Sequence, residues 1–359
     1  MIVYIIGLLL TIILSEFRKK CVSCKEEYIS IKFNDIRFRF KKFNYINILP
    51  AIPLTVIAAL RYEVGADYTN TYVLIFKKVS NGQANQAWGD YLYTLLNKFV
   101  CIFTSDYVGI FILTAILFSY LIFKGIYEQS ENITFSIYLL VCTGYYFCFL
   151  NGMRQLIAAA ILMLSIKYIQ EENIKKFLLC IVFASLFHAS ALVFLPVYFL
   201  NKIELNNFKR IAIVATFFIL SKSLSSIILN VISYTKYAYH LTNINAERLG
   251  YISTLMGVII FIFTCFWNED VKNNIYLDLQ MIALCTQAFI GIIPSANRIG
   301  WYFGISTIIL IPNVLESRKD NNRKYLMLSI AILYFIYFVY IIGVKNSNLV
   351  LPYKWIFGR

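Results

Sequence analysis

The chain has little charge, because Asp, Glu, Lys and Arg make up only 14% of its 359 residues. Soluble domains carry about 25% charged residues, whereas 60% of this chain is hydrophobic. The composition therefore excludes a soluble globular protein. Apolar runs of about 17–25 residues, the length of a transmembrane helix, recur along the whole sequence. They predict an all-α polytopic membrane protein with about 10–12 transmembrane helices.

The sequence is also poor in metal ligands. It contains two histidines, and its eight cysteines are scattered. Cys21 and Cys24 have the spacing of half a zinc site, but no second pair completes the four ligands. We therefore expect no metal and no cofactor. The net charge of +14 does not indicate nucleic-acid binding, because the basic residues cluster in short loops that set membrane orientation and contact lipid headgroups.

Internal repeats, low-complexity tracts and separate soluble domains are absent from the sequence, so residues 1–359 are predicted to form a single transmembrane domain. The apolar run Ile2–Leu14 lacks the basic n-region and small-residue cleavage site of a signal peptide, which favours an uncleaved first helix. Spans are expected near residues 2–16, 45–60, 106–125, 133–150, 153–169, 208–229, 249–267, 275–293, 298–315 and 324–344.

Basic residues in short loops predict the orientation of the chain. The loop 16–44 and a second basic loop before the last span are expected in the cytoplasm, which makes 61–105 and 231–248 extracytoplasmic loops. Both ends of 174–200 then fall in the cytoplasm, which a single span cannot achieve. Two explanations stay open: a broken or re-entrant segment that turns near His188, or a miscounted span elsewhere.

Arg154 is the residue that most strongly indicates a functional site, because an apolar run of spanning length lies on each side of it. A guanidinium within hydrocarbon costs roughly 3 kcal/mol on insertion scales, so a compensating anion is expected. The segment Asn151–Gln155 places Arg154 in the first turn of a helix, where the helix dipole favours an anion. The alternative is a turn whose arginine binds a lipid-headgroup phosphate.

A second polar segment follows the second predicted span. Tyr and acidic side chains are typical sugar-binding groups, and arginine makes bidentate contacts to phosphate. An interfacial anchor with a snorkelling arginine is the alternative. The residues of this segment are Arg61, Tyr62, Glu63, Asp67, Tyr68 and Tyr72.

Two further positions complete the candidate site. His188 has apolar neighbours and is a candidate general base, or else a core histidine bonded to a nearby carbonyl. Arg298 begins a later span beside Trp301, whose ring can stack on a sugar. Arg61, Arg154 and Arg298 thus lie on the outer face, where positive charge is normally scarce.

In order and approximate spacing, these motifs resemble the EpsG-like branch of the Wzy-type polysaccharide polymerases over nearly the whole chain. The matching positions are Arg61, Gly65, Asp67, Tyr68, Tyr72, Asn151, Gly152, Arg154, Gln155, Phe187, His188, Ser190, Asn297, Arg298, Pro352, Tyr353 and Lys354.

The resemblance implies a GT-C-like membrane glycosyltransferase, without a metal ion, in the bacterial plasma (inner) membrane. Such an enzyme joins undecaprenyl-diphosphate-linked oligosaccharide repeat units on the outer, periplasmic face into O-antigen, capsule or exopolysaccharide. Its partners are the lipid-linked donor and acceptor and the membrane lipids. A polysaccharide chain-length regulator and a flippase are candidate protein partners.

The candidate residues suit that reaction. Arg61, Arg154 and Arg298 would bind the leaving diphosphate, and His188 and Asp67 are the candidate bases. The candidates for sugar contact are Tyr62, Glu63, Tyr68, Tyr72, Asn151, Gln155, Trp301, Tyr353 and Lys354. A flippase for the same lipids is the alternative function, but it should show cations along a path through the bilayer and repeat symmetry between its halves.

Overall fold

The computed structural model describes residues 1–22, 28–33, 36–41, 45–83, 90–200, 202–233, 250–290, 293, 296–318 and 321–359. Strands β1 (Tyr28–Phe33) and β2 (Ile36–Lys41) pair in an antiparallel hairpin. The rest of the regular structure is helical. The α-helices are α1 Ile2–Val22, α2 Ile52–Ala59, α3 Leu74–Ser80, α4 Tyr91–Phe103, α5 Val108–Gln129, α6 Ile133–Cys142, α7 Tyr145–Asn151, α8 Met153–Gln170, α9 Ile174–Phe187, α10 Val197–Leu200, α11 Asn207–Ser233, α12 Gly250–Trp267, α13 Asn274–Gln287, α14 Ala296–Gly304, α15 Thr307–Ser317 and α16 Arg323–Phe338. Short 3-10 helices cover Tyr45–Asn47, Leu49–Ala51, Ala189–Phe194, Val271–Asn273 and Ile356–Gly358, and π-helical turns cover Tyr68–Val73 and Val339–Val344.

Long apolar helices confirm the predicted class of an all-α polytopic membrane protein. Within the part of the chain that the structure describes, five helical stretches are long and apolar enough to cross a membrane: Val108–Gln129, Asn207–Asn230, Gly250–Trp267, Ala296–Ser317 and Arg323–Val344. The pair α6–α7, bent by 52°, is a sixth candidate. The apolar segment Tyr45–Ala59, also predicted as a span, forms a shorter helical stretch, whereas the predicted spans 2–16 and 153–169 lie in α1 (21 residues) and α8 (18 residues).

The described part of the predicted outer loop 61–105 is largely helical. It contains the π-helical turn Tyr68–Val73, α3 and α4. Helix α4 is apolar, but its 13 residues are fewer than a span needs. The predicted outer loop 231–248 lies outside the described residues from position 234 onward.

The segment 174–200 is broken at His188. Helix α9 ends there because His188 adopts an extended backbone conformation, with φ −157° and ψ 113°. The chain then returns, and the Tyr198 hydroxyl donates to the Glu172 carbonyl at 2.9 Å. Both ends of the segment therefore lie together, and His188 lies at the tip, about 21 Å away for a helix of 14 residues. A path into the membrane from the cytoplasmic side stays a prediction.

Helix α8 occupies the centre of the bundle. It packs against α5, α7, α9 and α14. Leu156, Ile157 and the following three alanines are fully buried, and small side chains allow neighbouring helices to approach closely. This packing fixes the position of the first turn of α8, which carries Arg154.

A buried ion pair fastens α11 to α13 at a distance from that turn. The Arg210 Nε atom donates to Asp278 Oδ1 at 2.7 Å, and the two side chains are 3% and 5% exposed. Arg210 Nη1 also donates to Asn207 Oδ1 at 3.2 Å. A charge buried this deeply is tolerated because it is paired and hydrogen-bonded.

Residues 346–359 form a strap across the segment that follows α2. The backbone N–H of Tyr62 donates to the Lys354 carbonyl, and that of Ile356 donates to the Leu60 carbonyl, both at 2.9 Å. The Tyr353 hydroxyl donates to the Ile57 carbonyl at 2.9 Å. The strap thus holds the segment around Arg61 in place.

Candidate functional site

The turn between α7 and α8 lies at the centre of the sequence motifs. The Tyr72 hydroxyl donates to the Asn151 carbonyl at 2.8 Å and accepts from the Met153 N–H at 2.7 Å. From the strap, the Asn348 carbonyl accepts from Asn151 Nδ2 at 2.8 Å. The turn is therefore held on two sides by residues far away in the sequence.

Gly65 allows the Arg61–Tyr72 segment to pack against this turn. Its φ is +105°, a backbone conformation that residues other than glycine disfavour. A Cβ atom at this position would lie 2.8 Å from Asn151 Oδ1 and 3.1 Å from the Leu150 carbonyl. Any larger residue would push the two motifs apart.

Arg61 is enclosed behind the turn, with only 1% of its surface exposed. Its Nη2 atom donates to the Leu150 carbonyl at 2.9 Å and contacts Met153 Sδ at 3.4 Å. Its Nε and Nη1 atoms have no hydrogen-bond partner in the described part of the chain, and the guanidinium lies 5.2 Å from the Phe111 ring. Burial lowers the pKa of Arg61. The prediction of an outward-facing diphosphate ligand is thus revised, because the guanidinium points at backbone and rings.

Arg154 is reachable from outside the bundle and forms an ion pair with Asp90. The two side chains are 21% and 28% exposed. The guanidinium also lies 5.8 Å from the Tyr93 ring. Asp90 was not among the predicted site residues, although it is the sole acidic residue between positions 68 and 105 and comes just before an apolar run.

Arg298 lies beside Arg154 with a similar partner. Its Nη2 atom is 3.8 Å from Asp67 Oδ2, and the side chains are 48% and 28% exposed. The residue after Arg154, Gln155, donates from Nε2 to the Arg298 carbonyl at 2.7 Å. This bond joins the first turns of α8 and α14.

Trp301 packs over the turn next to Arg298. A Cβ atom at Gly152 would lie 3.0 Å from the indole ring of Trp301, and the Arg298 guanidinium lies 5.8 Å from that ring. The ring is half-buried. It remains a candidate platform for a sugar at the edge of the site.

His188, at the tip of the broken segment, lies within the electrostatic influence of Arg154 and Arg298. The neighbouring Ser190 hydroxyl lies 2.9 Å from the Tyr302 hydroxyl, which ties the tip to α14. His188 lies outside the spanning helices, and burial, followed by the positive charges of Arg154 and Arg298, lowers its pKa to about 4. The imidazole is therefore neutral at physiological pH. We call Arg154, Asp90, Arg298, Asp67 and His188 the charged cluster.

Several predicted sugar ligands are not accessible. Tyr68 is 1% exposed and stacks on Phe111 with ring centroids 4.2 Å apart, and Tyr72 is 2% exposed. Burial raises the pKa of both phenols. Asn151 and Gln155 are also buried and bond to backbone. Their predicted contact with sugar is revised, because the protein itself uses these groups.

The other predicted sugar ligands are less enclosed. Tyr62 is half-buried, and Glu63 pairs with Lys354 at 3.3 Å on the surface. Tyr353 bonds to the Ile57 carbonyl through its hydroxyl. Among the described residues, no group of three or more His, Cys, Asp or Glu side chains has the geometry to hold a metal ion.

Residues 44–355 match the sequence model of the EpsG family. The chain belongs to this family. It is the family of Wzy-like polysaccharide polymerases, so the resemblance inferred from the motifs is confirmed. Membership indicates a role like that of a polysaccharide polymerase. No curated protein and no solved structure matches the chain.

Proposed function

We propose that this EpsG-family protein is a glycosyltransferase that joins lipid-linked oligosaccharide repeat units into a polysaccharide on the outer face of the plasma membrane. The observation that carries the proposal is the charged cluster. It brings two half-exposed arginines and a neutral histidine to one end of the bundle. The growing glycan on undecaprenyl diphosphate is the donor, and the incoming lipid-linked repeat is the acceptor.

The arginines act on the leaving group. In the proposed step, an acceptor hydroxyl oxygen bonds to the anomeric carbon of the donor, and the bond from that carbon to the diphosphate oxygen breaks. The lipid diphosphate leaves with the electron pair, so its negative charge rises. Fixed cations aimed at developing charge lower the barrier, and Arg154 and Arg298 supply them without a divalent cation.

The two carboxylates of the cluster act as exchangeable partners. Asp90 and Asp67 balance the arginines when no substrate is bound, which limits the cost of placing cations near hydrocarbon. The ion pairs are partly exposed and therefore weak. A diphosphate with two or more negative charges competes well for the same guanidinium groups.

The proton of the acceptor hydroxyl passes to a base in the cluster. His188 is neutral at physiological pH and has a free lone pair to accept this proton, and Asp67 is the second candidate. His188 is half-buried at the tip of the broken segment. Trp301, next to Arg298, and the half-buried Tyr62 are the proposed contacts to the sugars.

The outer location is supported by the distribution of charge. The charged cluster lies at the start of α14, and α15 ends about 27 Å further along the same span near Glu316 and Arg323. The basic loops 16–44 and 316–324 favour the cytoplasm for that opposite end. The cluster then faces the exterior, where lipid-linked repeats are polymerised in the proposed reaction.

A deletion strain tests the proposal. We expect surface glycan limited to single repeats, with lipid-linked repeats accumulating on the outer leaflet, and polymer restored by the wild-type gene. Accumulation on the cytoplasmic leaflet would instead indicate a flippase. With purified protein and lipid-linked repeats, polymer formation should continue in EDTA, and loss of activity that Mg²⁺ restores would refute the metal-independent mechanism.

A further inference from the structure

Three backbone groups of the α7–α8 turn, at Leu150, Asn151 and Met153, are bonded to side chains of the Arg61–Tyr72 segment. Arg61 donates to the Leu150 carbonyl, and Tyr72 bonds to both the Asn151 carbonyl and the Met153 N–H. The next residue is Arg154. The direction of the Arg154 side chain therefore depends on hydrogen bonds from two side chains, Arg61 and Tyr72, that are distant from it in the sequence.

We propose that Tyr72 and Arg61 are positioning residues for the transfer reaction, which they support by fixing the turn that carries Arg154. The inference rests on the proposed function. Both side chains are at least 98% buried, so neither touches the substrate. A misplacement of about 1 Å at a catalytic group can reduce a rate roughly 100-fold, so the geometry of this turn controls the rate.

The Tyr72 hydroxyl can fix the turn because its two bonds satisfy groups at a helix junction. The Asn151 carbonyl lies at the end of α7, and the Met153 N–H lies at the start of α8. Neither group has a partner within its own helix at these positions. One hydroxyl thus serves both helix ends, and its removal leaves both groups buried and unpaired.

Tyr68 provides a matched control in the same π-helical turn. It is as deeply buried as Tyr72, but its hydroxyl has no hydrogen-bond partner in the described part of the chain. Tyr68→Phe and Tyr72→Phe remove the same atom from similar surroundings. The two variants differ only in whether that atom holds the turn.

The test measures kcat and KM with purified variants and lipid-linked repeat units extracted from the deletion strain. We expect Tyr72→Phe to lower kcat by about 10-fold to 100-fold with little change in KM, and Tyr68→Phe to stay within about two-fold of wild type. As a second variant, Arg61→Lys keeps a cationic donor for the Leu150 carbonyl and should retain more activity than Arg61→Leu. Equal activity of the two tyrosine variants would overturn the inference, and so would equal activity of the two Arg61 variants.

A double-mutant cycle separates positioning from a general structural role. If Tyr72 acts through Arg154, then adding Tyr72→Phe to the Arg154→Ala variant should lower kcat by less than about two-fold. Losses that multiply would overturn the positioning role. Full activity of Arg154→Ala would instead refute the proposed function, so the two failures are distinguishable.

Discussion

Replacing Arg154 by alanine should separate the activity of this protein from its stability. Arg154 and Asp90 are 21% and 28% exposed, and such pairs contribute only about 0.2–1 kcal/mol to folding. In the variant, water can solvate the remaining Asp90 carboxylate. The unfolding temperature in detergent should therefore fall by no more than about 2–4 °C.

The expected effect on the reaction is much larger. Loss of one preorganised group that stabilises a developing negative charge costs about 2.7–4 kcal/mol, or a factor of roughly 100 to 1,000 in kcat. Arg154→Lys keeps the charge but loses the bidentate geometry, so its rate should fall between those of wild type and alanine. Glycan chain length in the complemented deletion strain and kcat in detergent measure these effects.

Arg323→Ala is the matched control. Arg323 forms a similar half-exposed pair with Glu316, with side chains 35% and 24% exposed, at the opposite end of the span from Arg298. The control should retain normal polymer and a similar unfolding temperature. Normal-length polymer in Arg154→Ala would refute the assignment of Arg154, and so would an equal loss in Arg323→Ala.

Four further outcomes are expected. Gly65→Ala should destabilise the protein more than Gly82→Ala does, because both have positive φ but only Gly65 lacks space for a Cβ; similar melting temperatures would contradict this. Because the pKa of His188 is lowered to about 4, falling pH protonates the imidazole only near that value, so the rate should be flat between about pH 6 and 8. A decline in rate below about pH 6.5 that is absent in His188→Gln would contradict the lowered pKa of His188. Arg210→Ala should cost about 3–5 kcal/mol by leaving Asp278 buried and unpaired, and Arg210→Met with Asp278→Leu should recover most of it; a near-normal melting temperature for the single variant would oppose this. A cysteine at the exposed Ile203 should react with an impermeant thiol reagent only in inside-out vesicles, and labelling of intact cells would exclude the re-entrant path.

The sequence predicts much of this fold because hydropathy and helix length are local properties. The helical class, the break near His188 and the helix start before Arg154 follow from apolar runs, turn residues and charge in loops. The same logic indicates that Arg154 requires an anion. The identity of that anion is not local, since Asp90 lies 64 positions earlier and meets Arg154 only after α4 packs against α5 and α9.

Depth is the second property that the sequence does not provide. Arg61 and Arg298 both follow or begin an apolar run, and the pattern assigns both to the outer end. In the structure, Arg61 is 1% exposed and bonds to backbone, whereas the Arg298 side chain is 48% exposed. Whether a guanidinium faces solvent or lies beneath a turn depends on the packing of Tyr68, Tyr72 and the strap around it.

The strap also has a consequence for biogenesis. Tyr353 bonds to Ile57 across 296 positions of the chain, and contacts that distant form only after long loops close. During synthesis at about 5–20 residues per second, the helices before the strap emerge first. The segment around Arg61 gains its bonds to the strap only at that point, so we expect the charged cluster to be completed late in membrane insertion.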